Sequence, residues 1–191
     1  MVKTEEYVKK SFINLKPNDL DISDKTFDEC TFNSCDFSSV DFTNSKFIDC
    51  NFINSNLSFV KLGGVKLQNV SFEGCKFLGV NFGEIDTFLI KIYFKECIIK
   101  DSYFSDLKLT RTNFVKSEII DCEFSCVDFT GSDFSFTNLT GSYFRKCNLS
   151  QCNFLGSKNY AIDPTNNEIS GSKFSIPEVL GLLENFEIKI E

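Results

Sequence analysis

Residues 27–56 read FDECTFNSCDFSSVDFTNSKFIDCNFINSN, with phenylalanine at Phe27, Phe32, Phe37, Phe42, Phe47 and Phe52. Continuing in steps of five gives Leu57, Leu62, Leu67, Phe72, Phe77 and Phe82. After a slip of two residues the series resumes at Leu89 and runs through Phe94, Ile99, Phe104, Leu109 and Phe114 to Phe154. Every position is Phe, Leu or Ile, a period that neither an amphipathic helix nor a simple strand produces. A second column, two residues earlier, is small: Cys30, Cys35, Val40, Ser45 and Cys50 begin it. The residue between the columns is mostly polar, as at Asp36, Asp41 and Asn51. Each step therefore reads in–out–in, like a half-buried strand, and the two residues that follow must turn the chain.

The segments CDFSS, VDFTN, CEFSC and VDFTG resemble the pentapeptide-repeat family. The resemblance implies an all-β fold, a right-handed quadrilateral β-solenoid with four repeats per coil, over residues 20–174. Coils of that length would gather Phe32, Phe52, Phe72, Phe94, Phe114, Phe134, Phe154 and Phe174 on one face, stacked about 4.8 Å apart. Residues 1–19 are expected as an N-terminal cap and the slip at 83–88 as a local bulge confined to a corner. Beyond the solenoid, Ser175, Pro177 and Glu178 predict a capping box opening a helix over 176–184. The alternation of Phe186, Ile188 and Ile190 predicts a closing strand. In Qnr-type quinolone-resistance proteins the C-terminal helix joins two subunits. That likeness implies a homodimer through Val179, Leu180, Leu182, Leu183, Phe186 and Ile188; the alternative is a helix that plugs its own solenoid.

Composition narrows the function. The chain has 23 Phe and nine Cys but no His and no Trp. Eight cysteines fall in the small inward column and Cys126 alone lies off it. With no C-x-x-C pair and no His, no metal site is expected. With no general-base His and no Gly-rich phosphate loop, neither catalysis nor a cofactor is expected. A formal charge of −7 argues against nucleic-acid binding. No apolar signal region or membrane-length stretch is visible, which predicts a cytoplasmic protein away from membranes.

Function then belongs to the outer surface. About seven coils make a rod of roughly 35 Å, and a DNA duplex of that length carries about 20 negative charges. Residues 162–191 alone hold six carboxylates against Lys173 and Lys189, so little of the −7 belongs to the regular coils. Local charge is more telling. Lys66, Lys91, Lys108 and Arg111 gather on the face centred on Leu67, Leu89 and Leu109 with no carboxylate expected among them, while the two adjoining faces opposite and beside it present, between residues 80 and 126, Glu84, Asp101, Asp106, Glu118, Asp121 and Glu123 against Lys100 alone. Asp86 and Phe88 lie in the slip, with Phe88 an exposed anchor. The Qnr-type resemblance implies a non-enzymatic, DNA-shaped partner of DNA gyrase or topoisomerase IV, protecting it from quinolones or a toxin. The competing reading is a passive scaffold for another protein.

Overall fold

A computed structural model describes residues 5–17, 19–186, 188 and 189. It is a parallel β-solenoid built from strands mostly three residues long, such as Thr26–Asp28, Thr31–Asn33 and Lys46–Ile48. Phe27 pairs with Phe47, Phe32 with Phe52, Ile99 with Ile119 and Phe104 with Phe124. A five-residue step combined with that 20-residue stagger gives four sides per coil. Face 1 holds Phe27, Phe47, Leu67, Leu109 and Phe129 inside. Face 2 holds the series from Phe32 to Phe174, face 3 holds Phe37, Leu57, Phe77, Ile99 and Ile119, and face 4 holds Phe42, Leu62, Phe82, Phe104 and Phe124. Every one of these side chains except Phe174 is buried.

The corners are made by one backbone conformation used again and again. Two residues after nearly every inward side chain the chain enters the left-handed region, as at Asn44, Asp49, Asn54, Phe59, Gly64, Asn69 and Gly74; after Phe82 a 3-10 turn over Phe82–Glu84 takes its place. Asn, Asp and Gly tolerate that conformation best, and they recur at the corners. Bulky residues appear there too, and Phe59 and Phe136 lean along the axis onto the same corner of the next coil. A Cβ at Gly79 would come within 2.8 Å of the Phe59 ring, and one at Gly156 within 2.7 Å of the Phe136 ring. Asp121 covers Gly141 and Asn54 covers Gly74 in the same way. Glycine is therefore required where the residue one coil earlier lies flat over the corner.

The interior is a set of stacked rings. On face 2, Phe12, Phe32, Phe52, Phe72, Phe94, Phe114, Phe134, Phe154 and Phe174 stack successively, with centroids 4.6–5.3 Å apart. Rings on adjoining faces meet edge-on, as Phe27 meets Phe32 at 71°, a favourable arrangement for aromatic quadrupoles. Where Leu57, Leu62 and Leu67 replace Phe, the remaining void is only about 10 Å³. The small column does more than fill space. Ser132 and Ser142 each donate a hydroxyl 2.9 Å to a carbonyl of the preceding coil, and accept the N–H of Thr112 and Cys122 at 3.0 Å. Thiols make the same reach, Cys50 to the Phe27 carbonyl and Cys75 to that of Phe52, both at 3.4 Å. Ser and Cys thus satisfy corner backbone groups that the ladders leave over.

The ends and the slip depart from expectation. The expected cap over residues 1–19 contains two rungs of the same ladders: Glu6–Val8 pairs with Thr26–Asp28 and Ser11–Ile13 with Thr31–Asn33. The slip is centred later than 83–88, over 87–91. The 20-residue stagger persists through Glu84, whose carbonyl accepts the Gly64 N–H, and Asp86, whose N–H reaches the Val65 carbonyl. Phe72 then pairs with Phe94, so the two extra residues are absorbed over 87–91. They fill more than a corner: Phe88 and Leu89 form an exposed turn, 66% and 64% accessible. Leu89 is not an inward residue; it holds a left-handed corner at φ 57°, and half-buried Ile90 packs on the core instead. The C-terminal segment is a 3-10 helix over Glu178–Phe186. The capping box is not formed, because the Ser175 hydroxyl accepts from Gly156 at 3.1 Å while the Ser175 carbonyl receives the Val179 N–H. Ile188 is not in a strand, and Ile190 lies outside the described residues.

Three outcomes test this packing. Phe114→Ala, flanked by Phe94 and Phe134 at 5.2 and 4.7 Å, should cost about 3–5 kcal/mol in denaturant unfolding. The exposed control Lys158→Ala should change stability by less than about 0.5 kcal/mol. Gly156→Ala should destabilise by at least about 1–2 kcal/mol from its left-handed backbone. Adding Phe136→Ala should recover part of that loss, a coupling of about 1 kcal/mol; strict additivity would refute the ring-over-glycine contact. Burial pushes the thiols of Cys50, Cys75, Cys97, Cys122 and Cys152 up to about 12, so they should resist a thiol reagent at pH 8 until the fold is denatured. Exposed Cys126 should be labelled first, as mass spectrometry of the partly modified protein will show.

Candidate protein-docking surface

Because the core consumes the inward positions, the surface consists of three residues per repeat: one on each side of the inward residue, and the corner. Stacking then converts sequence neighbours 20 apart into columns. Asp101 and Asp121 occupy successive coils at the corner between faces 3 and 4, both in left-handed conformation. Glu118 stands on face 3, between Ile98 and Asn138 in its column. Asp106 takes the corner between faces 4 and 1, where Glu84 stands one coil earlier. Asp101, Asp106, Glu118 and Asp121 form no ion pair among the described residues. The side chain of Glu84 accepts a hydrogen bond from Asn81 at 3.0 Å.

Two predicted members of the acidic set are already neutralised. Glu123 is held by Arg145 at 2.6 Å, and its carboxylate raises the pKa of the Tyr143 phenol through a hydrogen bond. Asp86 lies 3.6 Å from Lys66, so the face expected to carry only cations includes a carboxylate. Both pairs follow from the coil: residues on one side and about 20 apart meet, a spacing that a linear reading of charge runs overlooks. Between the acidic corners, Tyr103, Glu123 and Tyr143 make one column on face 4. The two tyrosines are exposed, and Tyr103 lines a shallow groove of about 310 Å³ with Glu123, Ser105 and Ser125. Exposed tyrosines over small residues offer apolar contact area beside the charges.

The insertion and the C-terminal helix complete the exposed features. Phe88 projects from the turn at 87–91, held by its N–H to the Asp86 carboxylate at 2.8 Å. The helix divides its apolar residues. Leu182 is buried and Val179 packs on the solenoid core, whereas Leu180 and Phe186 are exposed. Leu183 is half-buried, Ile188 is exposed, and Ile176 just before the helix is 85% accessible. One side of the helix therefore plugs the solenoid while the other faces outward. Among the described residues, no group of three or more Cys, Asp or Glu is placed to hold a metal ion. No helix among them is long and apolar enough to cross a membrane.

A family model agrees with this architecture. The family model described as "Pentapeptide repeat region" matches residues 25–92 and 85–154. No curated protein matches. Similar solved structures include full-length QnrB1, a plasmid-mediated fluoroquinolone resistance protein, at 18% identity over 96% of this chain and 100% of that one, with a TM-score of 0.42. A trypsin-treated QnrB1 variant is similar at 17% identity over 98% of each chain, with a TM-score of 0.47. HetL, a pentapeptide repeat protein involved in heterocyst differentiation regulation in the cyanobacterium Nostoc, is similar at 12% identity over 88% of this chain and 86% of its own, with a TM-score of 0.31. With two overlapping family matches covering most of its length and a solenoid built from the five-residue unit, the chain belongs to the pentapeptide repeat family.

Proposed function

We propose that this protein is a non-enzymatic docking solenoid whose acidic edge competes with DNA for the cationic DNA-binding surface of DNA gyrase or topoisomerase IV. The observation that carries the reading is the unpaired column of Asp101 and Asp121, flanked by Glu118 and Asp106. Carboxylates lined up along a narrow rod, none of them in an ion pair among the described residues, steer toward a cationic groove. The choice of topoisomerase rests on the Qnr-type resemblance of the repeats. Two subunits joined through Leu180, Phe186 and Ile188, the outward residues of the C-terminal segment, would double the length of the rod. Cytoplasmic residence fits that partner, and the competing reading, a scaffold for another protein, makes no demand on charge.

The partner test is gyrase supercoiling with added ciprofloxacin, titrated with folded wild type and variants. Asp101, Asp106 and Asp121 changed to Asn keep a side chain suited to a left-handed corner, and Glu118→Gln removes the fourth charge. Together these changes should weaken binding by about tenfold, mainly through the association rate, and flatten its salt dependence. Changing Lys91, Lys108 and Arg111 to Ala should leave topoisomerase binding intact. Wild type that neither inhibits nor protects supercoiling at micromolar concentration contradicts the proposal. For assembly, light scattering should find wild-type dimers and monomers of the Leu180→Asp, Phe186→Asp variant, because unpaired carboxylates are costly in an apolar interface. Wild-type monomers at micromolar concentration would assign the helix to plugging alone.

A further inference from the structure

The insertion at 87–91 leaves one rung of the solenoid without a neighbour. On face 1 the residue before each inward side chain normally donates its N–H to the preceding coil, as Asp128 does to the Leu107 carbonyl and Asn148 to that of Val127. Its carbonyl, and the carbonyl two residues on, accept from the preceding coil as well: Asp128 from Leu109 at 2.8 Å and Thr130 from Arg111 at 3.0 Å. The same groups in the Lys108 rung make no such bonds. Lys108 bridges only forward, to Asp128. The Lys108 N–H and the Lys108 and Thr110 carbonyls have no hydrogen-bond partner among the described residues. The chain that should supply one has left the face after Asp86 to form the Phe88–Leu89 turn.

A groove of about 510 Å³ opens at this point, between residues 89–93 and residues 108–112. Its cations are Lys91, Lys108 and Arg111, none in an ion pair among the described residues; Lys91 hangs 5.7 Å from the centre of the Tyr93 ring. Leu89 and Ile90 supply an apolar rim. The nearest carboxylate of the insertion, Asp86, is already engaged by Lys66.

We infer that this groove takes an extended acidic segment of a partner protein, added as a strand along the free edge of residues 108–110. The unpaired backbone groups ask for a peptide, since a strand returns one carbonyl and two N–H groups to them. The three cations ask for Asp or Glu side chains on that peptide, and the Leu89 and Ile90 rim for one apolar residue. One side of a coil is five residues, so a segment of about that length, roughly 17 Å when extended, fills the gap. This site is separate from the acidic edge and has the opposite sign, so either can fail without the other.

The first measurement is amide hydrogen exchange on the intact protein by NMR. The Lys108 amide should exchange at least about 100-fold faster than those of Asp128 and Asn148. A Lys108 amide as protected as those two means the edge is already filled and overturns the inference. The second is panning a random heptapeptide library against the protein. Enriched peptides should be net acidic with an apolar residue, should slow Lys108 exchange when bound, and should bind at least about tenfold more weakly to a folded Lys91→Ala, Arg111→Ala variant. N-methylation of the central peptide residues should abolish binding. Failure to enrich any peptide, enrichment of basic or neutral ones, or indifference to the variant overturns the proposal. So does a DNA duplex that binds the same groove, or self-association that the variant removes.

Discussion

Everything in this molecule depends on a corner that recurs along nearly the whole solenoid. One left-handed residue turns the chain at almost every five-residue step, and because these corners are alike, coil lies on coil with ladder bonds and ring stacks in register. The conformation is unfavourable for residues other than glycine, asparagine and aspartate. The structure accepts it because corner N–H groups bond the adjoining coil, as Asn44 bonds the Gly63 carbonyl at 2.9 Å. The interlock is visible where Phe59, Phe136 and Asp121 fold over Gly79, Gly156 and Gly141. A corner residue is thereby chosen jointly with the residue 20 positions away.

That arrangement separates stability from recognition. Inward positions belong to the aromatic ladder and to the Ser and Cys groups that bond corner backbone. The remaining three positions of each repeat are free to carry charge, and columns of like residues form along the axis. Uncompensated carboxylates at Asp101 and Asp121 and unpaired cations at Lys91, Lys108 and Arg111 sit on different sides of one narrow rod. A convex surface with a filled core has few enclosed sites for chemistry, and docking through that surface is the proposed function. The insertion matters because it is the one place within the described coils where face 1 breaks its own hydrogen-bond ladder.

Much of the fold was legible because periodicity is a property of the sequence itself. The five-residue spacing from Phe27 to Phe82 marks a repeating coil, the resemblance of its repeats to the pentapeptide-repeat family implies four sides, and the all-phenylalanine face appears as a continuous stack. The slip was misplaced for a physical reason: Leu89 continues the apolar count backward from Phe94, yet an apolar residue can hold an exposed corner as well as an inward slot. Residues 1–19 looked like a cap because Tyr7 and Phe12 are too few repeats to show a period, though both stack in the ladder. The ion pairs Lys66–Asp86 and Arg145–Glu123 were hidden until the coil length was applied to charges as well as to phenylalanines. The Ser175–Glu178 pattern promised a capping box, but the preceding coil claimed the Ser175 hydroxyl. The free edge at Lys108 leaves no signature in residue types, since it is a property of the backbone alone.

The most direct test of the account is a competition experiment. Purified gyrase or topoisomerase IV is immobilised, and wild-type solenoid binding is measured with increasing duplex DNA. The account predicts micromolar or tighter binding to at least one enzyme, displaced by DNA in a concentration-dependent way and weakened by salt. Binding to neither enzyme, or binding that persists unchanged when DNA saturates the enzyme, would contradict it.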